Sequence, residues 1–419
     1  MLLDPAKEEY LQQIVQNGLC VGCGMCQGLF GSDTVQLARN NYAYFTPVQC
    51  APLTREQRVL LSTVCPGVSL AGNREAAAEH PIWGACRESL FAHAADPEVR
   101  FSGSSGGVIT AVAIRLLESG AADFIVQIGV SAHDPLVNEV KISRTRGEVL
   151  ANAGSRYAPS APLSTIGELL DGPGRFAFIG KPCDVASLRQ LGRTDPRVGE
   201  KVVLMLSFMC AGVPTLRGTR EILNRWGIRP EEVESFRYRG EGWPGFTKAV
   251  LKDGSNRTMT YEDSWGSILN RHLLFRCKIC PDGSGERADL VGADAWEGRP
   301  DGYPDFGERE GRSLVLARTE RGAAVLKECL ESGALISSGE VPVAGISAMQ
   351  PYQAHRKASI LSRLLAMKAL GHYVPDYDRN AILCAARRNS LFDHFKSFLG
   401  MFKRELARKK AVAVGPEGR

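Results

Sequence analysis

Residues 175–183 read Arg-Phe-Ala-Phe-Ile-Gly-Lys-Pro-Cys. A short apolar run stops at a glycine, and a proline suited to the first turn of a helix follows. This is a buried strand that ends, turns and starts a helix, the junction at which open α/β sheets place their sites. The pattern repeats outward. Upstream, residues 107–119 read as a helix that ends at Gly120 and feeds an apolar strand at 123–130, with a second helix near 162–170. Downstream come a helix after Pro182, an apolar strand at 201–209 and a helix over about 215–226. Strands alternating with helices predict a largely parallel or mixed sheet covered by helices.

Beyond Val233 the character changes. Residues 246–251, the turn Asp253-Gly-Ser-Asn256 and residues 258–261 read as a β-hairpin, and further strands are expected at 289–293 and 313–317. After about residue 345 the chain turns helical and basic, ending in FKRELARKKAVAVGPEGR, expected to be a solvated, frayed end. At the other end, residues 4–17 suggest an amphipathic helix, Asn40-Asn41 a turn between short strands, and residues 54–64 a helix.

Three cysteines, Cys20, Cys23 and Cys26, stand at two-residue gaps with glycines between them. That spacing lets one loop aim three thiolates at a single inorganic centre, as in ferredoxin-type runs. The nearest Cys-Pro pair is Cys65-Pro66, so Cys65 is the expected distant fourth ligand, and Cys50 a bystander. A zinc knuckle uses similar pairs, but the double spacing favours an iron–sulfur cluster. Cys183 and Cys210 close two neighbouring strands, and Cys277-x2-Cys280 completes a second set of four. The bland alternative makes Cys183 and Cys210 small buried hydrophobes.

The resulting fold class is α/β. A small N-terminal ferredoxin-like cluster unit (1–80) precedes a central mixed α/β sheet domain (81–345) and a helical, basic C-terminal extension (346–419). A length of 419 residues suits two or three domains, and 44% apolar with 23% charged residues describes an ordinary globular chain. A net charge of +5 can draw an acidic partner but does not indicate nucleic acid. The first 19 residues lack an apolar signal core, and the longest apolar run, 202–209, is too short to span a bilayer. Twelve cysteines without a secretory signal speak for metal binding in a reducing compartment, hence a cytoplasmic protein, rather than for disulfides.

Phe101-Ser-Gly-Ser-Ser-Gly-Gly107 precedes a strong helix. Small residues allow close backbone approach, and a helix start offers unpaired N–H groups to a phosphate. Residues 237–245, Arg-Tyr-Arg-Gly-Glu-Gly-Trp-Pro-Gly, join two arginines to an aromatic turn suited to phosphate, carboxylate or a planar ring. Asp294 ends a short strand, where it either binds a ligand or caps a turn. Neither a Walker loop nor a GxGxxG run is present, and the seven histidines form no Ser-His-Asp set; His133, His272 and His355 are the candidate proton donors.

In order along the chain, CVGCGMC (20–26), CPG (65–67), SGGVITA (105–111), GSRY (154–157), GKPC (180–183), FMCAGVP (208–214), RYRGEGWPG (237–245), CKIC (277–280) and ADLVGADAW (288–296) resemble the coenzyme F420 hydrogenase/dehydrogenase beta-subunit family. The resemblance implies a flavoprotein with FAD and [4Fe–4S] clusters, two being expected here from the two cysteine sets. That family includes subunits that reduce coenzyme F420 and ferredoxin-dependent reductases of chlorophyll-type pigments. Carried over, Ser104, Ser105, Gly106, Gly107 and Thr110 would lie by the flavin phosphates. Arg156, Tyr157, Gly180 and Lys181, with Arg237 and Asp294, would line the flavin site. Lys181 stands where threonine is common, and Ala293 replaces a usual glycine. The expectation is an oxidoreductase acting on an unknown small molecule, taking electrons from an acidic ferredoxin-like donor or exchanging hydride with F420. The alternatives are a relay subunit of a larger redox complex and a zinc-stabilised binding module.

Overall fold

The computed structural model describes residues 3–40, 44–70 and 80–413, and in it thirteen strands form three sheets. In chain order they are β1 (Val35–Arg39), β2 (Phe45–Gln49), β3 (Glu88–Ala94), β4 (Phe124–Val130), β5 (Asn138–Ser143), β6 (Phe176–Ile179), β7 (Val202–Phe208), β8 (Val233–Arg237), β9 (Thr247–Leu251), β10 (Asn256–Met259), β11 (Leu290–Asp294), β12 (Ser313–Ala317) and β13 (Leu335–Glu340). The large sheet runs β13-β3-β12-β11-β7-β6-β4-β5. Its centre, β11-β7-β6-β4, is parallel, and antiparallel strands extend it on both sides.

Both faces of that centre are buried. Phe124, Val126, Phe176, Phe178, Met205 and Val291 point into one core with Val185 and Leu188 of the helix Pro182–Leu191. The intervening Ile125, Ala177, Leu204, Leu206 and Leu290 point into another, with Val112 of the helix Val108–Glu118 and Leu326 of the helix Glu320–Glu331. Successive side chains alternate across a strand, so two covered faces require an unbroken apolar run. The runs read at 123–130, 175–179 and 201–209 meet that demand. β5 escaped notice because Asn138, Glu139, Lys141 and Ser143 give this edge strand a polar sequence. β13 is likewise an edge, with Ser337 and Glu340 exposed.

Parallel alignment puts the C-terminal ends of β6, β7 and β11 on one edge. Ile179 pairs with Leu206, and Phe208 with Gly292. The residues just beyond, Gly180 to Cys183, Met209 to Cys210 and Asp294, are therefore neighbours. The expected hairpin is β9–β10, extended by β8 into a three-stranded sheet.

The two ends of the chain share a core. Tyr10, Ile14, Leu19 and Cys26 pack with Ile360, Met367, Ile382 and Met401. The final stretch differs from the loose end expected of it. It is a helix, Leu391–Ala413, because Phe398, Met401 and Phe402 recur at helical spacing and seat in that core. The second half of the Asn40-Asn41 turn and residues 414–419 lie outside the described residues. No helix among the described residues is long and apolar enough to cross a membrane.

Candidate cofactor site

The first cysteine group is built by a loop and a helix. Gly24 starts the helix Met25–Phe30 at a φ of +87°, and a side chain there would meet the Ser164 backbone nitrogen at 2.7 Å. Only glycine lets this loop press against the following turn, where Leu163 N–H donates to the Cys23 carbonyl at 2.9 Å. The helix Arg55–Val64, closed at its start by a reciprocal Thr54–Gln57 capping box, ends on Cys65. Cys20, Cys23, Cys26 and Cys65 come together as one group. Burial, and then the neighbouring thiols, push the Cys23 and Cys26 thiols up, and burial raises Cys20 to about 12. Cys50 is exposed.

The second group assembles from four separate elements. Cys183 lies in the first turn of the helix Pro182–Leu191, Cys210 just beyond β7, Cys277 in the short helix Phe275–Lys278, and Cys280 just after it. The Val213 N–H donates to Cys277 Sγ at 3.4 Å. Burial raises the Cys183, Cys210 and Cys277 thiols, Cys210 to about 12, with neighbouring thiols of the group contributing. The four cysteines of this second group lie close enough to influence one another. Among the described residues no group of three or more His, Cys, Asp or Glu side chains is set as a ready metal site.

A cavity of about 660 Å³ opens at the C-terminal edge of the sheet, within the range of small-molecule sites. Ser104, Ser105, Gly107, Thr110, Arg156, Tyr157, Gly180, Lys181 and Asp294 line it. Gly106 and Arg237 stand one layer behind. A side chain at Gly106 would meet the Ala92 carbonyl at 2.7 Å and the Ser313 nitrogen at 2.8 Å, so this glycine seats the turn against β3 and β12. Arg237 Nη2 braces the turn by donating to the Ser102 carbonyl at 2.8 Å. The arginine on the wall is Arg239. It is buried and donates to both Asp294 oxygens, to the Ser104 carbonyl at 2.5 Å and to the Tyr157 hydroxyl at 3.3 Å. Its guanidinium lies 4.6 Å from the Tyr261 ring centre and 5.4 Å from that of Trp296. Arg237 ends β8 and Arg239 stands two residues on, in the turn after it, so the motif alone does not separate them.

Lys181 Nζ reaches Asp184 at 2.7 Å and Ser160 at 3.1 Å. Burial, the largest single effect, depresses this ammonium, but Asp184 and the Cys183 and Cys210 thiols together outweigh it and the net displacement is upward. Arg156 spends its arms on Asn138, Phe236 and Pro135 and so ties three segments together. None of His133, His272 and His355 lines the cavity; His272 pairs with Glu221 at 2.8 Å.

The C-terminal helices contribute a wall that the helical pattern did not reveal. Met349, Gln350, Tyr352 and Gln353 line the cavity, and Gln350 donates to the Asp294 carbonyl at 2.7 Å. Buried Arg356 donates to the carbonyls of Cys210 and Cys277, both at 2.9 Å.

The residues present fit both kinds of group. The helix Val108–Glu118 begins at Gly107 without a side-chain cap, and its first turn faces the cavity, so its N–H groups are available to a phosphate. Each cysteine group offers four soft sulfur donors. Beside the second group, Arg276 Nε and the Tyr377 hydroxyl are buried and have no hydrogen-bond partner among the described residues, a place suited to acceptor atoms of a bound group.

Comparison with known proteins agrees with this geometry. Residues 90–167 match the family described as the N-terminal part of the coenzyme F420 hydrogenase/dehydrogenase beta subunit, and residues 174–341 match the family described as its C-terminal part. A coenzyme F420 hydrogenase subunit beta of Methanococcus voltae is 26% identical over 310 residues, covering 70% of this chain and 99% of that protein. A coenzyme F420-dependent sulfite reductase of Methanocaldococcus jannaschii is 25% identical over 335 residues, covering 75% of this chain but 46% of that longer protein. A chain of the F420-reducing [NiFe] hydrogenase complex from Methanosarcina barkeri shares the fold, with a TM-score of 0.56 at 19% identity over 70% of this chain and 97% of its own. By these matches the chain belongs to the coenzyme F420 hydrogenase/dehydrogenase beta-subunit family.

Proposed function

We propose that the chain is an iron–sulfur flavoprotein oxidoreductase. In this reading Cys20, Cys23, Cys26 and Cys65 hold one [4Fe–4S] cluster, and Cys183, Cys210, Cys277 and Cys280 hold a second. FAD occupies the cavity, where it would turn single-electron delivery into hydride chemistry on a small-molecule substrate.

One observation carries the reading. Cys210, a member of the second group, lies on the wall of the same cavity as the uncapped helix start at Gly107. An electron carrier on these cysteines would border the flavin directly. The chain's own residues bind and orient: the 103–107 turn takes the phosphates, Arg239 fixes that turn through Ser104, and Tyr261, Trp296 and the 349–353 segment narrow the mouth.

The relatives' names support coenzyme F420 as the two-electron partner and a place in a larger assembly of several chains. The net charge of +5 supports a second reading, in which an acidic ferredoxin supplies electrons to the N-terminal group. Anaerobic purification should give a yellow-brown protein with extractable FAD and about eight iron atoms per chain. Stopped-flow mixing with reduced F420 or reduced ferredoxin, watching flavin bleaching, then identifies the partner. A chain that binds zinc and no flavin would overturn the proposal.

A further inference from the structure

Arg276 occupies an unusual position. Its side chain is 1% exposed, and among the described residues its one hydrogen-bond acceptor is the Pro66 carbonyl, at 2.5 Å from Nη2. Nε has no partner. Pro66 directly follows Cys65 of the first cysteine group, and Arg276 directly precedes Cys277 of the second. The guanidinium therefore stands where the two groups meet, braced from the C-terminal extension by the Tyr377 ring, whose centre is 5.1 Å away. The same helix that carries Cys183 closes the space between the groups, as Ser187 donates to the Val64 carbonyl at 2.7 Å.

A buried cation with one acceptor and no carboxylate partner is costly. Other cations here are neutralised or spent: Lys181 pairs with Asp184, and Arg356 uses its arms on the Cys210 and Cys277 carbonyls. Arg276 keeps a buried Nε without a partner among the described residues, between the segment that carries Cys65 and the one that carries Cys277.

We propose that Arg276 is a positioning residue shared by the two cysteine-held groups, its charge and free N–H donors serving both at once and raising both reduction potentials. The inference rests on the two-cluster reading above. Reduction adds negative charge to each group, and a fixed cation in a dry site favours the reduced form. A single cation between two carriers shifts both potentials the same way and leaves the difference between them to the rest of each site.

The test uses the full chain, purified anaerobically, with iron counted and both midpoint potentials read by EPR-monitored redox titration. About eight irons per wild-type chain uphold the two-cluster reading, and about four overturn that reading itself. Given eight, Arg276→Gln should lower both midpoints. At the wild-type midpoint the reduced-to-oxidised ratio should fall roughly tenfold for each, about 59 mV for a one-electron couple. Arg276→Lys keeps the charge and loses the fork, so both midpoints should fall by a smaller amount. It is the deciding variant if the glutamine protein does not retain iron. A lysine variant with eight irons in which only one midpoint moves, or neither, overturns the shared role.

Discussion

Arg239 grips Asp294 through both arms, Nη2 to Oδ1 at 2.8 Å and Nη1 to Oδ2 at 3.0 Å, while the Trp243 indole donates to the same Oδ1 at 2.8 Å. The pair joins the end of β11 to the turn after β8 and, through the Ser104 carbonyl, to the helix start that faces the cavity. Removing one partner leaves the other charge stranded in a dry place. Arg239→Ala should cost about 3–5 kcal/mol in denaturant unfolding, and Arg239→Lys less. Arg237→Ala, which loses one bond to a carbonyl, should cost about 1–3 kcal/mol. Equal losses at 237 and 239 would contradict the layering of the two arginines.

Gly106 offers a test of the phosphate-side turn. A methyl group there meets backbone atoms of β3 and the start of β12, neither of which can yield cheaply. Gly106→Ala is expected to lose most bound flavin while iron per chain stays unchanged. Gly147→Ala, in the helix Arg146–Ala151 with open space around it, is the control and should be neutral or stabilising by about 0.5–1 kcal/mol. Full flavin occupancy in the Gly106 variant would place the phosphates elsewhere.

Arg356 links the C-terminal extension to the second cysteine group. Each of its two bonds to a carbonyl is charge-assisted, typically about 1.5–3 kcal/mol. Arg356→Met should release the segments bearing Cys210 and Cys277, and iron per chain should drop by about half, the loss confined to one of two EPR signals. Retention of both signals would show that the loop and helix hold their cysteines unaided.

Cysteine reactivity reports burial directly. Thiolate is the attacking species, and the eight grouped cysteines are buried or half-buried and, on the reading proposed above, bound to iron, so they stay silent at about pH 8. Cys50 and Cys384 are exposed. Native alkylation followed by peptide mapping should label those two alone, and labelling should quicken as pH rises. Rapid modification of any of the eight grouped cysteines would break the assignment.

Much of this was legible in residue order because local physics wrote it there. The strands buried on both faces had to be apolar throughout, and the cysteine spacings had to suit a loop. Edge strands such as β5 carry no comparable demand, since one side of each faces water or a loose neighbour. Arg239 was hidden by its twin two residues earlier. The contribution of residues 349–356 was hidden more deeply, for helical periodicity tells that a face is buried and not what it covers. Gln350 and Arg356 act on Asp294, Cys210 and Cys277, all distant in sequence, and only the packed chain reveals the pairing.

The shared core of Tyr10 and Ile14 with Met367 and Met401 sets a clock for biogenesis. The helix residue Met401 that packs beside the first cysteine loop is made 375 residues after Cys26. At about 5–20 residues per second the interval is roughly 20–80 s. During that time the front of the chain has its thiols but not its roof. A group held by Cys20, Cys23 and Cys26, as proposed above, would enter while that loop is open, before the helix Leu391–Ala413 packs into the same core.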